Sequence, residues 1–176
     1  MIKGKGVFVL FILSIFLLCI FGRAQAMERM RPGRCHGQVG ETVPRIILPR
    51  LDGKFFASSE LQGKVVIFDF WATWHPPCRS AIPAFIELYN KYGEEKFEII
   101  GICLDKDMPA LKQFAHEIQI NYPIAIGSKS IERSFGGIKA LPTTLLVDKR
   151  GRIRFRFTGY TPKEVFEEKI KFLLRE

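Results

Sequence analysis

The sequence predicts an α/β fold with a mixed central sheet, helices on both faces and a β-hairpin extension at the N-terminal side. A run at 64–70 is β-branched and apolar on both faces, which is typical of a buried parallel strand. Strands then alternate with amphipathic helices, and two closely spaced strands and a helix come last. The alternation of strands and helices favours parallel pairing of the central strands. The hairpin near the C-terminal end adds antiparallel strands to the sheet.

Turn and helix signals predict the first half of the fold. Asp-Gly between two apolar runs predicts a hairpin at 46–56, and 58–61 favours a short helical turn. The central strand follows at 64–70. Pro76 can begin a helix because the first helical N–H has no partner to lose. Apolar side chains recur at helical spacing from there to Gly93, which ends the helix.

The second half continues the alternation and closes with a hairpin and a helix. The elements expected here are a strand at 97–104, a helix capped by Asp107, a strand at 122–126, a helix at 131–135, and strands at 143–147 and 153–157. Thr161 and Glu164 have the spacing of a capping box, which predicts the start of the last helix.

The N-terminus has the pattern of a secretory signal peptide. Two lysines precede an apolar run from Val7 to Phe21, which is shorter than the roughly 20 residues of a membrane-spanning helix. Ala24-Gln25-Ala26 fits a signal peptidase site, so we expect cleavage after Ala26, with an uncleaved anchor as the alternative. The expected organisation is a signal peptide at 1–26, a loose leader at 27–40 and one domain at 41–176. The protein is then periplasmic or otherwise extracytoplasmic.

Charge and composition restrict the partners only mildly. The whole chain has a formal net charge of +9. Without residues 1–26 it keeps 24 basic and 18 acidic residues, a net charge of +6. Nothing resembles a nucleic-acid-binding module, so the balance fits an acidic partner or an anionic membrane surface. We expect a monomer without a cofactor, attached to a membrane only if the signal stays uncleaved.

Three cysteines remain after the predicted cleavage, Cys35, Cys78 and Cys103. In an oxidising compartment, an odd count leaves at least one thiol free or paired between molecules. Cys103 lies between two apolar residues of a predicted strand, so we expect it to fill the core. Cys35 lies in the leader beside His36 and is an alternative reactive thiol.

One stretch carries a specific resemblance. The segment Trp71-Ala72-Thr73-Trp74-His75-Pro76-Pro77-Cys78 resembles the active site of exported thioredoxins of the TlpA/ResA family, whose usual form is Trp-Ala-Thr-Trp-Cys-Pro-Pro-Cys. Leu141-Pro142-Thr143-Thr144 resembles the family's cis-proline loop. The resemblance implies a thioredoxin fold and thiol-disulfide chemistry on protein thiols or disulfides. It also implies an apocytochrome or a membrane electron donor as a partner.

His75 stands where this family has its attacking cysteine. An imidazole cannot form a mixed disulfide, so the ordinary two-cysteine cycle is unavailable to the motif. Cys78 matches the resolving cysteine, and its spacing of three from His75 lets the two side chains meet on one helix face. The pair is open to three interpretations: an activated Cys–His pair, half of a metal site, or a remnant in which His75 only fills space.

The resemblance assigns further residues around this pair. Asp69 matches the family's buried acid. Burial should raise the pKa of its carboxyl, which would then suit proton transfer at Cys78. The alternative is that Asp69 is a purely structural carboxyl. The implied substrate groove consists of Trp74, Pro76, Pro77, Leu141 and Pro142.

Three functions therefore stay open from the sequence. The first is an exported thiol-disulfide redox protein that acts through the single thiol Cys78. The second is a redox-silent module that binds clients in cytochrome c or copper-site assembly. The third is a Cu(I) carrier that uses His75 and Cys78, with Cys35 and His36 as further ligands.

Overall fold

A computed structural model describes residues 40–93 and 96–176 of the chain. Its strands are β1 (Ile47–Pro49), β2 (Phe55–Ala57), β3 (Val65–Trp71), β4 (Phe97–Cys103), β5 (Ile124–Ile126), β6 (Thr143–Val147) and β7 (Ile153–Thr158). Its helices are a short 3₁₀ helix (Ser58–Leu61), α1 (Pro76–Tyr92), α2 (Met108–Glu117), α3 (Lys129–Ser134) and α4 (Lys163–Arg175). The predicted signal peptide and all but the last residue of the predicted leader lie outside the described residues.

The five-stranded sheet is mixed, as the sequence predicts. Its strand order is β5-β4-β3-β6-β7, with β3, β4 and β5 parallel and β6 and β7 antiparallel to their neighbours. The hairpin β1–β2 forms a separate antiparallel sheet. This arrangement places β3 at the centre, where the motif that follows it is supported on both sides.

Helices cover both faces because β3 and its neighbours are apolar on both sides. Val65 and Ile67 pack in one cluster with α1 and α4 side chains such as Phe85 and Phe166. On the other face, Phe68 packs with residues of the hairpin and with the end of α3. None of the helices within the described ranges is both long and apolar enough to cross a membrane.

Most helix signals in the sequence are confirmed. The Asp107 side chain caps α2, because its Oδ1 accepts a 3.0 Å hydrogen bond from the N–H of Ala110. Gly136 and Gly137 follow α3 with φ angles of 78° and 81°, a conformation that favours glycine after a helix end. The start of α3 lies earlier than predicted, at Lys129, because Ser128 provides an N-cap that was overlooked.

One predicted helix cap is wrong, and one predicted strand is present but shorter. The capping box of Thr161 and Glu164 does not form, because Pro162 is the N-cap of α4 and the Thr161 hydroxyl donates to the carbonyl of Gly159 instead. The strand predicted at 122–126 is shorter, since β5 begins only after Pro123, which has no N–H for a ladder bond.

Gly101 on β4 lies so close to two aromatic rings that an added methyl group would clash with them. A Cβ there would lie 3.0 Å from Trp71 Nε1 and 3.1 Å from Tyr122 Cε2, and both rings are buried. We expect Gly101→Ala to lower the free energy of unfolding by about 1–3 kcal/mol, measured by urea denaturation. The control Lys112→Ala, at an exposed position, should change it by less than about 0.5 kcal/mol. Equal effects of the two variants would contradict this packing account.

Candidate thiol site

The motif lies between the end of β3 and the start of α1. His75 is the N-cap of α1 and Pro76 is its first residue, so Cys78 falls in the first helical turn. The N–H of Cys78 donates to the carbonyl of His75 at 3.0 Å. The His75 side chain makes no capping hydrogen bond, and it is therefore free to face Cys78.

His75 and Cys78 meet as their spacing predicts. Nδ1 of His75 lies 3.1 Å from Sγ of Cys78, within hydrogen-bond distance for sulfur. When Nδ1 carries no proton, it accepts the S–H of Cys78. The ring of Trp74 packs edge-on against His75, with 5.8 Å between the ring centroids. The imidazole is thus held between the thiol and an aromatic ring.

Cys78 is buried, with 1% of its surface exposed. Burial raises the pKa of the Cys78 thiol to about 12, and the charges of Asp69 and Asp105 also raise it. A thiol whose pKa lies this far above neutral is protonated in nearly all molecules at neutral pH. Because the thiolate is the nucleophile in disulfide exchange, Cys78 in this conformation reacts slowly.

Asp69 lies in the middle of β3 and is buried, as expected from its counterpart in the resemblance. Thr144 on β6 donates a 2.8 Å hydrogen bond from Oγ1 to Oδ1 of Asp69. Burial raises the pKa of Asp69 to about 7, and the Thr144 bond lowers it slightly. A carboxyl with that pKa can hold or release a proton near neutral pH, whereas its role in proton transfer stays a prediction.

The groove residues separate into exposed and buried members. Trp74 is 69% exposed, and Pro76 and Pro77 are exposed at the start of α1. Leu141 is half-buried, and its peptide bond to the buried Pro142 is cis. A cavity of about 470 Å³ lies between Trp74 and Leu141, so these two residues share one opening.

Asp105 is a member of this site that the sequence reasoning missed. Its Oδ2 accepts a 2.9 Å hydrogen bond from the N–H of Thr73, within the motif loop. Its Oδ1 is buried and has no hydrogen-bond partner among the described residues, and Asp105 also lines the cavity beside Trp74. The sequence did contain a signal for Asp105, because this residue comes just after the carboxyl end of β4. In a parallel pair that end lies beside the end of β3, where the motif begins.

Comparison with known proteins identifies the family to which this geometry belongs. The AhpC/TSA family matches residues 39–156. The chain belongs to this thioredoxin-like family. The thiol-disulfide oxidoreductase ResA of Bacillus anthracis is 34% identical over 76% of this chain and 78% of its own. That of Geobacillus kaustophilus is 32% identical over 76% of each.

Solved structures agree with the family. A thiol:disulfide interchange protein of the thioredoxin family from Chlorobium tepidum has a TM-score of 0.71 and 30% identity, covering 82% of this chain and 97% of its own. A secreted thiol-disulfide isomerase from Corynebacterium glutamicum has a TM-score of 0.70 over 76% of this chain and 86% of its own, and its 24% identity supports the fold alone. The thioredoxin fold and the relation to ResA-type oxidoreductases are confirmed.

Of the other two cysteines in the predicted mature chain, the structure describes Cys103 and not Cys35. Cys103 is a free thiol, fully buried in the same apolar cluster as Cys78 and Trp71, which confirms its expected place in the core. Burial raises the pKa of Cys103 to about 12. Cys35 and His36, as an alternative thiol and a further ligand, lie outside the described residues.

Nδ1 of His75 and Sγ of Cys78 lie at hydrogen-bond distance, and their interpretation as half of a metal site stays a prediction. Tetrahedral sulfur and nitrogen ligands at about 2.3 and 2.0 Å from a metal lie about 3.5 Å apart. The observed separation of 3.1 Å would have to widen. Within residues 40–93 and 96–176, no group of three or more His, Cys, Asp or Glu residues could hold a metal ion. No observation in the site favours a Cu(I) carrier.

The raised pKa of Asp69 predicts a pH-dependent stability. Its protonated form stabilises the fold below the ordinary carboxyl pKa, and that contribution is lost as pH rises through about 7. Asp69→Asn keeps an acceptor for Thr144 without a charge. The quantity compared is the free energy of unfolding of the variant minus that of the wild type. This difference should be more favourable at about pH 8.5 than at about pH 4, by on the order of 2–4 kcal/mol. Urea denaturation at the two pH values measures this difference, with Asp107→Asn at an exposed cap as control.

The burial of Cys78 predicts slow modification by an alkylating reagent. At about pH 8, iodoacetamide should label Cys78 in the native protein about 100-fold more slowly than in guanidinium chloride, where the thiol is exposed. Peptide mass spectrometry assigns the label, and Cys78→Ser confirms the assignment. Rapid labelling of native Cys78, or a disulfide from Cys78 to Cys35, would contradict the picture of a protected free thiol.

Proposed function

We propose that this protein is an exported thiol-disulfide redox protein that acts on protein thiols and disulfides through the single thiol Cys78. The observation that carries the proposal is the 3.1 Å contact between His75 Nδ1 and Cys78 Sγ at the start of α1. This contact gives the one thiol of the motif a proton acceptor. It also lies beside the groove of Trp74 and Leu141, where a client segment can bind.

The proposed exchange uses only His75, Cys78 and the thiols and disulfides of its protein partners. Cys78 transfers its proton to Nδ1 of His75, and the resulting thiolate attacks one sulfur of a client disulfide. The client S–S bond breaks, a bond from Cys78 to the client forms, and the departing client thiolate takes the proton from the imidazolium. A thiol of the client or of a second protein then loses its proton and attacks the client sulfur of the mixed disulfide. A new disulfide forms on that client sulfur, the bond to Cys78 breaks, and Cys78 regains a proton as a thiol.

The family and the sequence support this assignment in complementary ways. The relatives that match over three quarters of the chain carry the name thiol-disulfide oxidoreductase, which supports protein thiols or disulfides as substrates here. The signal pattern at 1–26 supports export, with 27–40 as leader and 41–176 as the functional domain. An extracytoplasmic location would expose the protein to oxidised clients.

A redox-silent client-binding module is the second candidate. The specific observation in its favour is that Cys78 is buried and its pKa is raised to about 12, while the groove keeps an exposed Trp74 and a cis Pro142. Such a protein would hold a cysteine-containing segment without exchanging its sulfur. Clients in cytochrome c or copper-site assembly are those that the resemblance implies.

Replacing His75 by cysteine tests whether only the sulfur is missing. The wild type should reduce insulin no faster than dithiothreitol alone, because it cannot complete a two-cysteine cycle. His75→Cys should be at least about tenfold faster, since a thiol at a helix N-terminus beside a second thiol can exchange. His75→Ser is the matched control, because it removes the imidazole without adding sulfur. Turbidity of the released insulin chains gives the rates.

The same assay extended to single exchange separates the two candidates. A slow formation of mixed disulfide with an oxidised peptide that disappears in Cys78→Ser supports the redox protein. Peptide binding without any mixed disulfide supports the silent module. Wild-type insulin reduction as fast as that of His75→Cys would show that another cysteine attacks, and that the loss of the cycle was inferred wrongly.

A further inference from the structure

The hairpin β1–β2 exposes an apolar surface that no function so far uses. Ile47 is 71% exposed and Phe55 is 67% exposed, and among the described residues only Trp74 is comparably open for a large apolar side chain. Pro49 lies opposite Phe55 in the strand register and is exposed too. We call Ile47, Pro49 and Phe55 the outer hairpin face.

The alternation of side chains along a strand explains why these side chains point outward. Leu48 and Phe56 point inward, are buried, and pack with Phe68 of the sheet. Their neighbours Ile47 and Phe55 must then point outward. Since an outward position in a two-stranded hairpin needs no apolar side chain for stability, exposed Ile and Phe side chains there make this face a candidate docking surface.

Basic residues surround the outer hairpin face. Between residues 45 and 57 the sequence has Arg45, Arg50 and Lys54 against one acid, Asp52. Arg50 is paired with Asp52 at 2.7 Å, whereas Arg45 and Lys54 are exposed and form no ion pair with any residue that the structure describes. Glu60, the next acid, accepts a hydrogen bond from the N–H of Ala57.

The chain that leads into the hairpin is basic as well. Residues 27–44 contain three arginines and two glutamates. A surface that combines exposed Phe and Ile side chains with flanking Arg and Lys is the chemistry that binds the boundary of an anionic bilayer, where apolar groups enter and basic groups meet lipid headgroups. A protein partner with an apolar centre and an acidic rim would use the same side chains, but it would leave Phe55 unprotected on lipid vesicles.

We propose that the outer hairpin face, with Arg45 and Lys54, docks the domain on an anionic lipid surface. The proposal shares the expectation of export with the proposed function but does not depend on exchange at Cys78. The inner side of the hairpin packs on the sheet face opposite α1, and its outer face points away from the sheet.

Hydroxyl-radical footprinting of the full chain tests this surface without any variant. The chain is reconstituted with vesicles of phosphatidylcholine alone or mixed with phosphatidylglycerol, so that a retained signal would anchor it equally in both. Phe55 oxidation should fall at least about threefold on the anionic vesicles relative to the neutral ones. Phe172, 48% exposed on α4, is the internal control and should be oxidised equally on both.

Charge reversal shows whether the basic residues direct the contact. Arg45→Glu with Lys54→Glu should abolish the protection of Phe55, whereas Lys96→Glu with Arg175→Glu makes the same change of charge at exposed positions away from the hairpin and should preserve it. The proposal is overturned if Phe55 is equally oxidised on both lipids or if both double variants behave alike. Protection without vesicles would also overturn it, because a second copy or the leader would then cover the face.

Discussion

The complete burial of β3 is the constraint on which the rest of the structure depends. All seven residues of this strand are buried, and it pairs with β4 on one side and β6 on the other. Because both neighbours pair with this strand, the position of its carboxyl end in the sheet is fixed. The motif that follows Trp71 is therefore held at one edge of the sheet, and α1 begins there. Thr144 reaches Asp69 because β6 lies in register beside it.

The same burial sets the chemistry of the site. Asp69 and Cys78 both lose water, and for an acid this loss favours the protonated form. Burial is the largest cause of the raised pKa of each group, and the charge of Asp69 raises the pKa of Cys78 further. An ionised Asp69 therefore disfavours the Cys78 thiolate. A neutral thiol beside an imidazole is the state that this environment favours near neutral pH, and exchange must begin from it.

Much of the fold and the motif was predictable, because local residue identity determines them. The alternation of strands and helices, the Asp107 cap and the replacement of the attacking cysteine by His75 can all be read from the chain. Properties that depend on tertiary packing could not be predicted. The exchange role of Cys78 depends on how deeply it is buried, and Asp105 joins the site only because β4 ends beside β3. The failed capping box at Thr161 shows that a sequence pattern yields to the turn in which it lies.

The side chain of His75 explains how the motif can change without loss of the scaffold. An N-cap side chain that bonds to the helix end contributes about 1 kcal/mol, and its loss would weaken α1. His75 makes no such bond, so the helix start depends on its backbone and on Pro76 rather than on the side chain at this position. Asp69 accepts a hydrogen bond from Thr144, and the carbonyl of Pro142 accepts one from the N–H of Gly159, so neither contact needs a sulfur at position 75. The substitution therefore changes the available chemistry while the groove and the buried acid keep their supports.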